Sequence, residues 1–204
     1  MPRGIANPEL REQLFDAAER VLLRDGPQAL TGRAITREAN CATGLLHSHF
    51  GDLEGFLTAL IVRRFREQAE LAAALPPLAG TGDVVGNLTR AGLTLFEPRT
   101  LGIANLVIAR PTLRARVEAV MSEGAPGLPE VTTSISDYLD RERQLGRLPL
   151  GTDSGAVALA IVGTVHHLLL TGDVTDPEAV VTRLVRALVT EGTPGPGPVS
   201  PPVR

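Results

Sequence analysis

Apolar positions recur along this chain three and four residues apart for most of its length, the spacing of amphipathic helices. Leu10, Leu14, Ala17, Ala18, Val21 and Leu22 fall on one face of a first helix, which Asn7 and Pro8 open as N-cap and first-turn proline and Gly26 stops. Ile35 and Ala39 lie four apart in a short second helix that Thr31 caps. Asn40, a residue that tolerates positive φ, ends it in a tight turn. A third short segment, from about Thr43 to His49, points Leu46 and Phe50 inward and leaves Thr43, Leu45, His47 and Ser48 outside. Asp52 then caps a long helix to about Leu75, with Leu53, Phe56, Leu57, Leu60, Ile61 and Phe65 directed at neighbours and Arg63, Arg64 and Arg66 reading as a solvated face.

Pro76 and Pro77 with Gly80, Thr81 and Gly82 break the pattern as a loop. Helical segments follow at about 83–96, 98–109, 112–123 and 129–144, with Pro98 and Pro111 at helix starts and Gly146 as a stop. Asp153 caps a helix to Thr171, and Asp176 before Pro177 caps a last one to about Glu191. Within 156–170, Val157, Ile161, Val165 and Leu168 make one apolar stripe, while Leu159, Val162, His166 and Leu170 make a second, so this helix must be covered on all sides. The last helix offers Val181, Leu184, Val185 and Leu188 as a matching stripe. From Gly192 onward, GTPGPGPVSPPVR cannot bury a core and reads as a disordered tail. No strand pattern and no internal repeat stands out, so the predicted fold is all-α. It divides into 1–52, three helices with a helix-turn-helix; 53–191, a helical body; and 192–204, the tail.

Two short helices about a tight turn, with polar side chains outward on the second, make a helix-turn-helix whose outward residues would meet DNA bases. Thr31, Ile35, Ala39, Gly44, Leu46, His49 and Phe50, continued by Asp52, Glu54 and Leu57, resemble the pattern of the tetracycline-repressor (TetR) family of bacterial regulators. Departures fall where DNA would be touched. Asn40 stands where the family has Gly, Ala42 for a capping Ser, His47 for a Tyr, and Leu53 for a Lys. The resemblance covers roughly Leu10 to Leu57. It implies a DNA-binding surface of Thr31, Arg33, Ala42, Thr43, Gly44, Leu45, His47 and Ser48, with Gly44 small so that backbone can approach closely. It also implies a homodimer closed as a four-helix bundle by Val157, Ile161, Val165, Leu168, Val181, Leu184, Val185 and Leu188. A small-molecule effector would bind among the middle helices, whose aliphatic walls carry Asn105, Arg110, Tyr138 and His166 as polar groups.

Composition changes this picture in one respect. The 204 residues carry 20 basic and 23 acidic side chains, and every basic residue is arginine. Residues 1–50 balance six arginines, Arg3, Arg11, Arg20, Arg24, Arg33 and Arg37, against Glu9, Glu12, Asp16, Glu19, Asp25 and Glu38. A neutral head must bind DNA by geometry and not by bulk charge. Arg3 lies in a segment able to reach DNA as an arm, or to remain an untethered terminus.

Other chemistry finds little support. The single cysteine, Cys41, excludes an intramolecular disulfide. His166 and His167 are helix neighbours about 100° apart and do not share one ion easily, so no metal site is expected. Hydrolase, metalloprotease and phosphate-loop motifs are absent, and no enzyme activity or cofactor is expected. The first thirty residues lack a signal peptide's pattern, and 156–170 is shorter than a membrane span. A cytoplasmic protein without membrane association is expected. The reading is a dimeric transcriptional regulator, a repressor released from a palindromic operator by a small molecule. The alternative is a helical ligand- or partner-binding module of the same fold without operator binding.

Overall fold

The computed structural model describes residues 8–171 and 175–190 and, among these, ten α-helices and no strand. Asn7, Arg3 and the tail from Gly192 lie outside the described residues. The helices are α1 (Pro8–Asp25), α2 (Gly32–Glu38), α3 (Gly44–Phe50), α4 (Leu53–Ala73), α5 (Val84–Leu93), α6 (Pro98–Ala109), α7 (Pro111–Ser122), α8 (Leu128–Gln144), α9 (Ser154–Thr171) and α10 (Pro177–Thr190). Single turns of 3-10 helix at Pro27–Ala29, Pro76–Leu78 and Thr94–Phe96 join some of them.

Local chemistry sets these limits. The Thr31 hydroxyl accepts from the Ala34 N–H at 3.1 Å. Asp52, Asp83, Asp153 and Asp176 do the same for the third residue after each of them. Each such cap is worth about 1 kcal/mol. Proline occupies the first turn of α6, α7 and α8, where its missing N–H costs nothing. Gly26 leaves α1 at φ 81°, and Asn40 takes φ 51° after α2.

Two apolar cores form. In the first, Leu14, Phe15, Ala18, Leu22, Ile35 and Leu46 of α1–α3 pack with Phe56, Leu57, Leu60 and Ile61 of α4, and also with Ile103 and Leu106 of α6 and Leu113 and Val117 of α7. The second joins the end of α4 to α5, α8, α9 and α10 around Leu88, Ile135, Leu139, Ile161, Val165, Val181 and Val185. The packing therefore does not break at residue 52. It changes along α4, where the buried polar side chains Arg64 and Gln68 lie between the two groups of apolar residues.

One expectation is corrected here. Arg63 and Arg64 do not form a solvated face. The Arg64 guanidinium is buried and donates to Glu19 at 2.7 and 3.1 Å, and Arg63 pairs with Glu12 at 2.7 Å and Glu67 at 3.1 Å. Three carboxylates, two of them on α1, draw these side chains inward; Arg66 alone of the three is exposed. The stripe assigned to dimerisation is also largely internal. Val157, Ile161, Val165, Val181 and Val185 face the second core of their own chain, with Leu168, Leu184 and Leu188 half-buried. On α9 the second stripe faces outward except at Val162, which is buried: Leu159 is 65% exposed and Leu170 46%, beside exposed Gly163 and His166. At 18 residues and a mean hydropathy of 1.6, α9 is long and apolar enough for a membrane span, with 39% of it buried inside the protein.

Candidate nucleic-acid interface

The turn between α2 and α3 is built from Asn40, Cys41 and Ala42. The Cys41 N–H returns to the Thr36 carbonyl at 2.9 Å, and Asn40 supplies the left-handed backbone this needs. Behind the turn, Gln13 of α1 donates to the Ala39 carbonyl at 2.7 Å, fixing α2 on α1. α3 is held from beneath by aromatic contacts. Phe50 meets Phe56 edge-on at 4.9 Å between ring centroids and Phe15 at 5.6 Å, and the Arg11 guanidinium covers Phe50 from 4.5 Å. Such contacts add about 0.5–1.5 kcal/mol each beyond burial. Gly55 completes the joint, because a Cβ there would stand 2.5 Å from the Phe50 carbonyl oxygen.

On this support, Thr31, Arg33, Ala42, Thr43, Gly44, His47 and Ser48 are exposed or, at Ser48, exposed with the hydroxyl turned back to the Leu45 carbonyl at 3.0 Å; Leu45 is half-buried. Gly44 has no atom within 4 Å of where a Cβ would sit, so nothing inside the protein requires glycine there. Asp52, one turn beyond, has its carboxyl held below the usual range, first by the Gly55 N–H and then by Arg116 of α7.

Several connections from the body to this head have no counterpart in the sequence reading. Arg110, expected to line an effector pocket, instead closes α6 against the head, donating to the carbonyls of Leu30 at 2.8 Å and Pro27 at 3.3 Å and pairing with Glu54 at 3.4 Å. Arg99 of α6 reaches Glu19 at 3.3 Å and Arg116 reaches Asp52 at 3.1 Å. These contacts span 56 to 83 residues of chain and leave no periodic trace.

The four polar residues expected around an effector are not brought together. Asn105 is exposed on α6, and His166 is exposed on α9 in an open groove against α8. Tyr138 is wholly buried, its hydroxyl accepting from Asn87 at 3.0 Å, and burial with Glu142 nearby pushes its phenol far above the ordinary value. Glu142, also buried, pairs with Arg147 at 3.2 Å. Gln68 of α4 is the polar group that the sequence reading missed. It lies 4% exposed, donating to Thr100 of α6 at 3.4 Å with its carbonyl oxygen unmatched. No group of three or more potential metal ligands occurs among the described residues.

Residues 14–60, the span of this supported helix pair, match the family model for bacterial regulatory proteins of the tetR family. That stretch is tetR-like. The TetR-type fold extends past the matched span. The reduced form of Escherichia coli NemR superposes with a TM-score of 0.70 at 16% identity, over 91% of this chain and 100% of that one. SmeT, the repressor of the Stenotrophomonas maltophilia multidrug efflux pump SmeDEF, gives 0.61 at 20% identity over 95% and 97%. Bacillus subtilis FadR in complex with stearoyl-CoA gives 0.60 at 18% over 88% and 97%. No curated protein matches by sequence. At these identities the likeness is one of fold.

Proposed function

We propose that this TetR-type chain is a cytoplasmic repressor that binds a palindromic operator as a homodimer and leaves it when a small molecule occupies the body. The observation carrying this reading is the rigid presentation of α3. Its apolar side is fastened to Phe15 and Phe56, and Thr43, Gly44 and His47 stand outward with no structural duty that explains them, beside exposed Ser48. In this reading those side chains enter the major groove, while Thr31, Arg33 and Ala42 flank it. Two heads one helical turn apart, about 34 Å, read the two half-sites.

The second copy pairs through the outer faces of α9 and α10, with Leu159, Gly163, His166 and Leu170 at the seam and Leu168, Leu184 and Leu188 at its edge. Exposed leucines on an apolar helix support this. Release works through α6 and α7, which are packed into the head's own core and pinned to it by Arg99, Arg110 and Arg116. An effector lodged beside Gln68 between α4 and α6 moves them, and the two reading heads lose register. A shift from 1:99 to 99:1 requires roughly 5.5 kcal/mol of differential affinity.

Selection from random DNA tests the reading: the purified protein should enrich a two-fold symmetric sequence, and enrichment of no sequence overturns it. Thr43→Ala combined with His47→Ala should abolish binding to the enriched duplex while the sedimentation of the protein is unchanged.

A further inference from the structure

The head is neutral when its sequence is counted, yet its charges are not spent evenly once folded. Glu12 pairs with Arg63, Glu19 with Arg64 and Arg99, Asp52 with Arg116, and Glu54 with Arg110. Each of these arginines lies at or beyond residue 63, so the body neutralises Glu12 and Glu19 of the head, and Asp52 and Glu54 where the head joins α4. Inside the head, Arg20 and Arg24 are absorbed by Glu38 and Asp25, and Arg11 is stacked on Phe50. The arginines that remain among the described head residues are Arg33 and Arg37 on α2, both exposed and neither hydrogen-bonded nor ion-paired, while on the acidic side Asp16 of α1 is exposed and unpaired. The two arginines stand four apart, on one side of a seven-residue helix whose other side buries Ile35, Thr36 and Ala39. Like charges at that spacing repel each other and weaken a helix. The free protein gains nothing from the arrangement, and a strand of phosphates running past α2 would turn the repulsion into attraction.

From this we infer that Arg37, with Arg33, is the phosphate clamp that seats the head on DNA, and that the body arginines make the clamp effective by cancelling the acidic groups behind it. This rests on the DNA-binding reading above and adds Arg37, which neither spacing nor resemblance marked. Arginine suits the role because its planar guanidinium meets phosphate oxygens two at a time. The pair fixes position along the backbone and carries no sequence preference.

The test uses a fluorescein-labelled mixed-sequence duplex of about 30 base pairs, with full-length protein titrated between roughly 50 and 200 mM NaCl. Arg33→Gln and Arg37→Gln should each reduce the slope of log K against log salt by about 0.9, and the double variant by about twice that. At about 0.1 M salt each single change should cost about eightfold in affinity. Arg66→Gln on α4, another exposed arginine, should change nothing, and far-ultraviolet circular dichroism should show every variant helical. If the wild-type protein binds with a measurable slope and Arg37→Gln keeps it, or if Arg66→Gln lowers it equally, the clamp assignment fails while the DNA-binding reading stands. If the wild-type protein binds neither this duplex nor any selected sequence, both fail.

Discussion

At the scale of single residues, the buried polar groups carry the sharpest expectations. Tyr138 is the only tyrosine of a chain that has no tryptophan and no lysine, so its ionisation is read in ultraviolet absorbance without interference. Burial raises its pKa. A folded-state value above the unfolded one, about 10, means that the stabilisation is complete below pH 10 and is lost as pH rises through the folded value. Phenolate absorbance near 295 nm should therefore stay flat as pH passes 10 and rise only together with loss of helical circular dichroism. The Glu19–Arg64 pair sets a second expectation: Glu19→Ala leaves a buried guanidinium without its main partner and should cost about 3–5 kcal/mol in urea denaturation. Neither residue announced this in the sequence. The caps at Thr31, Asp52, Asp153 and Asp176 were legible because a cap is satisfied within three residues, whereas Glu19 and Arg64 are 45 apart and meet only after α1 lies on α4.

Among the elements, the helix-turn-helix was read nearly to the residue, down to positive φ at Asn40, since its spacing, turn and caps are all local. Asn40→Val should cost more than 1 kcal/mol, because a branched side chain is strained in the left-handed region, and Asn40→Gly should be neutral or better. α9 shows where such reading stops. Both of its stripes are apolar at helical period, and periodicity does not say which is covered by the same chain; only the positions of α5, α8 and α10 decide it. α6 was legible as a helix but not as a brace. Removing Arg110 takes away hydrogen bonds to the Leu30 and Pro27 carbonyls and the pair with Glu54. Arg110→Ala should speed amide exchange in α2 by about tenfold or more relative to α8, since a lost hydrogen bond to a charged donor is worth about 1.5–3 kcal/mol.

For the whole molecule, the proposed dimer makes the outward face of α9 the place to intervene. Leu159→Arg should give a monomer by sedimentation equilibrium with unchanged helical content, and should lose affinity for a palindromic duplex far more than for a half-site. A dimer that survives this change would place the seam elsewhere.

The sharing of the head's core with α6 and α7 bears on how such proteins can be recombined. Ile103, Leu106, Leu113 and Val117 are structural parts of a unit that a cut after residue 52 would divide. A chimaera grafting residues 1–52 onto a foreign sensor should precipitate or melt early. One that carries 94–123 along should keep its shape, so the transferable module here is discontinuous, a head with a strap returning from the middle of the chain.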